Sequence, residues 1–238
     1  MDFGSFGYFE FSWQFISSFL MIIVIDLVLA GDNAVVIAMA VRNLPAKQRK
    51  IGIMCGAGAA VLLRVCLTIV VAQLIGIKGL KFFGGVLIMW IALKLFIEGA
   101  PSEEGHKEAA TLWQAMTTIV IADIVMSLDN MLAVAGASHG NNLLIIFGLV
   151  LSIPFVVFTS GLLSMLMDKY PIIVYIGAMI LGKVAGEMII TDPYVQSFLH
   201  TSKATQYIVE AAFAVAVVVI GKLWMKMKIR KEETGHAH

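Results

Sequence analysis

A chain of 238 residues that is 60% hydrophobic and only 14% charged has too little polar surface for a water-soluble domain of that size. The class left is a polytopic helical membrane protein. The formal net charge of +1 excludes nothing by itself, because the placement of the charges carries the information. The first apolar run lacks a basic region before it and contains acids, so no cleaved signal peptide is expected.

Seven spans are predicted in chain order. The N-terminus to Ser12 is aromatic, with Phe3, Phe6, Tyr8, Phe9 and Phe11, and reads as an interfacial segment. The first span, about Trp13 to Val41, would make roughly 40 Å of helix against a hydrocarbon core of about 30 Å, so it must tilt, kink or break. Ala30-Gly31, beside Asp32, is the natural break point. A basic loop holds Arg42, Asn43, Pro45, Lys47, Arg49 and Lys50, and the second span then covers about Ile51 to Ile75 with Arg64 inside it. Its small residues, among them Gly52, Gly56, Ala57, Gly58, Ala59 and Ala60, permit close helix approach. Cys55 and Cys66 lie roughly three turns apart in this span, too far for a disulfide within one helix, and read as small apolar fillers.

The third span, about Phe82 to Ile97, carries Lys94 and ends at Glu98; the linker from Gly99 to Ala110 is the most polar stretch. The fourth runs from about Leu112 to Ala137 and the fifth from about Leu143 to Met167, with Ser152 and Pro154 inside. The sixth, about Ile172 to Ile190, contains Lys183 and Glu187. A polar loop from Thr191 to Thr205 precedes the seventh, about Tyr207 to Trp224, whose first turn holds Glu210 at an interfacial position; a basic polar tail follows. With the first loop cytoplasmic, Arg42, Lys47, Arg49, Lys50, Lys107, Lys169 and the cations from Lys222 to Lys231 lie inside, against Lys78, Lys81 and Lys203 outside. The positive-inside bias then puts the N-terminus out and the C-terminus in.

The first span contains Asp26-Leu27-Val28-Leu29-Ala30-Gly31-Asp32-Asn33, and the fourth contains Asp123-Ile124-Val125-Met126-Ser127-Leu128-Asp129-Asn130. The polar positions repeat at one offset of 97 residues, 26 to 123, 32 to 129 and 33 to 130. Lys94 and Glu98 of the third span are likewise answered by Lys183 and Glu187 of the sixth, whereas Arg64 has no basic counterpart in the fifth, where Ser152 and Pro154 occupy the corresponding region. Two halves of three spans, about 12–98 and 111–190, plus a seventh helix at about 205–225 form a single transport domain. An odd number of spans per half makes the repeat an inverted one, the arrangement that supports alternating access to a midplane site.

An ionised carboxylate at the bilayer centre costs about 2.5–3.5 kcal/mol or more, so four intramembrane acids call for a cation, water or protons. The carboxylates of Asp26, Asp32, Asp123 and Asp129 with the carboxamides of Asn33 and Asn130 supply hard oxygens, which suit Mg²⁺, Ca²⁺ and Mn²⁺ rather than soft metals. No His lies in a span; His106, His139, His200, His236 and His238 fall in loops or the tail. On a continuous helix Asp26 and Asn33, seven apart, share a face while Asp32 points aside, unless a break at Gly31 turns it back. The plain structural alternative is that the acids only form salt bridges with Arg64, Lys94 and Lys183. Repetition of all three polar positions argues against it, since stability does not require symmetry. Arg64 reads as a charge partner or gate; Lys94 and Lys183 balance charge or pair at i,i+4 with Glu98 and Glu187, acids that near the span ends can also snorkel.

The doubled Asp-x5-Asp-Asn motif in two inverted halves resembles the TerC family of membrane proteins, over about Phe11 to Trp224. The resemblance implies export of a divalent metal, chiefly Mn²⁺, across the bacterial cytoplasmic membrane through Asp26, Asp32, Asn33, Asp123, Asp129 and Asn130, without an organic cofactor. Proton exchange would suit a site with surplus acids. The partners implied are the lipid bilayer, the metal ion and protons; a homo-oligomer is compatible with it and no nucleic acid is expected. The alternative is a metal-handing assembly factor that metalates secreted enzymes with a partner. An enzyme is not expected, since no nucleophile–base pair or His-Glu-x-x-His motif is present, and the acids oppose an oxyanion carrier.

Overall fold

The computed structural model describes residues 12–74, 79–99, 111–138, 141–199 and 202–235, with side chains for all of these except 14, 28, 29, 69–74, 129, 132 and 228–235. The N-terminal aromatics, the linker at 100–110, the five histidines and the side chains of Lys228, Arg230 and Lys231 lie outside the described residues. What is described is helical: α1 (Trp13–Val41), α2 (Ala46–Leu74), α3 (Leu80–Gly99), α4 (Leu112–Ser138), α5 (Asn142–Lys169), α6 (Ile172–Ile190), α7 (Pro193–Phe198) and α8 (Lys203–Gly235).

Among the described residues, five helices are long and apolar enough to cross a membrane, within α2, α3, α5, α6 and α8. A sixth is α1 if its two arms, Phe15–Leu27 and Ala30–Val41, bent by 42°, count as one span. In α4 the apolar stretch among the described residues is Leu112–Leu128. The bend in α1 falls between Leu27 and Ala30, just ahead of the Ala30-Gly31 pair expected from the sequence, and bending is one way for an over-long apolar helix to fit a bilayer. Outward-facing Leu20, Met21, Phe83, Trp90, Phe147, Phe155 and Phe158 are exposed, the surface an apolar solvent covers without cost.

Three local features differ from the sequence reading. Lys47, Arg49 and Lys50 belong to the first turns of α2 rather than to a loop, since Ala-Lys-Gln-Arg-Lys after Pro45 is a strong helix-forming run. The polar loop after α6 contains α7, started by Asp192, whose side chain accepts a hydrogen bond from the Tyr194 amide at 2.7 Å with Pro193 at the first helical position. And α8 continues past Trp224 to Gly235, because polarity marks where the bilayer ends and not where the helix does.

The chain divides into two compact units. The first holds α1, α2, α4 and α5 as far as Met165; the second holds α3, α6, α7, α8 and the end of α5. Each unit thus takes helices from both predicted halves. In the first, α1 and α2 pack against α4. A Cβ on Gly56 would lie 2.8 Å from Ile119 Cδ1, so the small-residue face of α2 lets α4 approach closely. Cys55 and Cys66 are free thiols exposed on α2 rather than fillers of the interior. In the second unit, α6 packs against α3 and α8 through Gly177, Ala178, Gly182, Ala185 and Gly186, all buried.

Candidate functional site

The interior of the first unit contains charge. Asp26 of α1, Arg64 of α2 and Asp123 of α4 are 1%, 3% and 5% exposed, so none is solvated from outside the helices. The guanidinium lies between the two acids. Arg64 Nη1 donates to Asp26 Oδ1 at 2.7 Å and Nη2 donates to Asp123 Oδ1. Nε donates to Ser127 Oγ at 2.9 Å, and the Ser127 hydroxyl in turn faces Asp123 Oδ2 at 3.3 Å. All three guanidinium nitrogens are used, which the planar fork of Arg permits and a Lys ammonium would not reproduce. Thr68 Oγ1 donates back to the Arg64 carbonyl at 2.7 Å.

Local periodicity explains the convergence. Asp123 and Ser127 are four apart on α4 and so share a face. Asp26 and Asn33 are seven apart on α1 and both are buried, whereas Asp32 between them is half-buried. Asn33, Val36, Ile37, Ile119 and Asp123 line a cavity of about 10 Å³, the room of one water molecule. Asp26 Oδ2 is buried with no hydrogen-bond partner among the described residues. Two carboxylates against one guanidinium leave a formal charge of −1, in surroundings where a buried charge demands a counter-charge.

The remaining predicted site residues fall elsewhere. Asn130 is half-buried on α4, and the side chain of Asp129 lies outside the described residues. No group of three or more His, Cys, Asp or Glu positioned to hold a metal ion occurs among the described residues. In the second unit, Lys94 lies 4.0 Å from Glu98, and Lys183 lies 3.3 Å from Glu187. These i,i+4 pairs are largely exposed. Lys183 also reaches Glu210 of α8 at 3.4 Å, and Gln206 donates to the same carboxylate at 2.9 Å. Glu210 is thus buried and ion-paired between α6 and α8. Sequence reasoning also passed over Ser127, although its place one turn after Asp123 was the available signal.

Membrane-spanning helices that bury an Asp–Arg–Asp cluster between them define an integral membrane protein with a polar centre. The chain belongs to the integral membrane protein TerC family, whose profile matches residues 11–233. It is 39% identical over 211 residues to the uncharacterized membrane protein YjbE of Bacillus subtilis (strain 168), covering 89% of this chain and 96% of that protein. It is 28% identical over 186 residues to the uncharacterized membrane protein YceF of the same organism, covering 74% of this chain and 71% of that protein. Its 28% identity to the UPF0053 protein YegH of Escherichia coli (strain K12) spans 174 residues but only 33% of that protein. No solved structure matches the chain.

Proposed function

We propose that the chain exports a divalent metal cation, Mn²⁺ by its family resemblance, across the bacterial cytoplasmic membrane in exchange for protons. The site is the pair of Asp motifs, with Asp26, Asp32, Asn33, Asp123, Asp129 and Asn130 as oxygen donors. The observation that carries this is the meeting of Asp26 and Asp123, equivalent positions of the two motifs, at one buried point. Hard carboxylate and carboxamide oxygens suit such ions. Seven spans in two inverted halves are part of the proposal. The packing of α1 against α4 and of α3 against α6, the equivalent helices of each half, supports that symmetry.

The test is Mn²⁺ flux into liposomes containing only the purified protein, with a pH gradient imposed or absent. We expect flux that responds to the gradient and falls by about tenfold or more in Asp26→Asn, Asp123→Asn and the double variant Asp32→Asn/Asp129→Asn, a loss of ~1.4 kcal/mol or more. Equal flux in wild type and all three variants would sink the site assignment. Mn²⁺ binding without flux would instead favour hand-over of metal to a partner.

A further inference from the structure

We infer that Arg64 competes with the transported cation for Asp26 and Asp123. Its guanidinium holds the two acids when the carrier is empty and releases at least one of them when cargo binds. This deepens the transport reading above and rests on it.

The geometry makes simultaneous occupancy unfavourable. Arg64 takes Oδ1 of both acids, and Asp123 Oδ2 is engaged by Ser127. Asp26 Oδ2, buried and without a hydrogen-bond partner among the described residues, is the acceptor left over. The adjoining cavity has room for one water, whereas a hard divalent ion wants about six oxygens around it. Charge leads to the same conclusion. Two carboxylates and one guanidinium sum to −1. Adding a divalent ion beside a bound guanidinium would leave +1 in a buried site, but replacing the guanidinium leaves zero. A monovalent ion would bring the cluster to zero beside the bound guanidinium, without displacing it, so displacement of Arg64 is tied to divalent cargo.

The return step follows from the same arithmetic. Once the metal has left, two bare carboxylates would face the bilayer interior, which is costly. Refilling by the tethered guanidinium offsets one of these charges, and the proton taken in exchange for the metal offsets the other, so that the empty carrier can reorient. An arginine suits this because its fork reaches both acids and its charge does not titrate in proteins.

The test combines Mn²⁺ binding to the detergent-purified full chain, by calorimetry, with flux in liposomes. In Arg64→Gln, Mn²⁺ binds at least about tenfold tighter, net flux falls at least about tenfold, and Mn²⁺/Mn²⁺ exchange across the bilayer persists. In Arg64→Gly, millimolar guanidinium chloride weakens Mn²⁺ binding competitively, an effect absent from wild type. If neither variant remains monodisperse, Arg64→Lys keeps the charge while losing the fork, and it binds Mn²⁺ more tightly than wild type. Binding that is unchanged or weaker in whichever variants fold overturns the inference and makes Arg64 a support for the acids. Wild-type protein that shows no Mn²⁺ binding or flux dependent on Asp26 and Asp123 overturns the transport reading and the inference with it. Normal wild-type flux with no tightening in the Arg64 variants removes the inference alone.

Discussion

Gly182→Ala will loosen the second unit. A Cβ at Gly182 would sit 2.7 Å from the Phe213 carbonyl oxygen, 2.8 Å from Val217 Cγ2 and 2.9 Å from Ala214 Cα. Ordinary contact begins at 3.4 Å. Two of the three atoms are main chain, so no rotamer change relieves the overlap, and α8 must move off α6 by roughly 0.7 Å, the difference between contact and overlap. A gap of about 0.5–1 Å forfeits a quarter to a half of each dispersion contact it opens. In lipid, packing is what holds helices together, because apolar burial drives nothing there. Overpacking of this kind costs about 1–3 kcal/mol, which corresponds to a drop in Tm of about 2–12 °C for a chain of this length. The shift would also separate Lys183 from Glu210, now 3.4 Å apart across the same two helices. The assay is thermal unfolding in detergent followed by tryptophan fluorescence, Trp90 and Trp224 both lying on helices of this unit. Gly58→Ala is the control. Its Cβ meets nothing within 4 Å, so helix propensity should make it neutral or stabilising by about 0.5–1 kcal/mol. A Gly182→Ala protein as stable as wild type would refute the packing argument.

Asp192→Ala removes the acceptor for two amides, Tyr194 at 2.7 Å and Phe82 at 3.2 Å, and should lower stability by about 0.5–2 kcal/mol per lost cap, read as a fall in Tm. Lys183→Met and Glu210→Gln should show a coupling of about 0.5–3 kcal/mol in a double-mutant cycle of unfolding free energies, whereas strict additivity would mean that the pair is only a surface contact. Arg64→Met, which strands two buried acids, should cost about 3–5 kcal/mol. Adding Asp26→Asn and Asp123→Asn should recover most of that stability while leaving Mn²⁺ flux absent. A triple variant that transports would show the cluster to be structural.

Several elements were legible because their signals are local. The bounds of α1 and α6 are set by apolar runs ending at Arg42 and Thr191, and the doubled Asp motif is visible by inspection. What stayed hidden was orientation. These helices are apolar nearly all round, so periodicity does not say which face turns inward. Glycine shows where the backbone allows close approach but not which partner comes: Gly56 receives Ile119, whereas Gly58 has open space. The partner of Glu210 was hidden for the same reason, since distance from a helix end measures depth and not whether Lys183 stands opposite. The extension of α8 to Gly235 is not legible in the sequence, because a change to polar residues marks the edge of the apolar span and not the end of the helix.

If the two Asp motifs form the cation site proposed above, the break in the repeat falls where that chemistry requires it. At the offset of 97 that relates Asp26 to Asp123, the position answering Arg64 is Gly161 and not Ser152 or Pro154, which lie about two turns before it; a Cβ on Gly161 would meet nothing within 4 Å. A perfectly symmetric protein would carry two arginines for its two buried acids. That cluster would be neutral when empty, and a cation would gain nothing by entering. One arginine leaves the pair of acids one charge short, enough to attract a cation yet not so far from neutral that the empty site is untenable in a bilayer. The acids are duplicated and their counter-ion is not, and on the transport reading proposed above it is this departure from symmetry that lets the pair of motifs take up a cation.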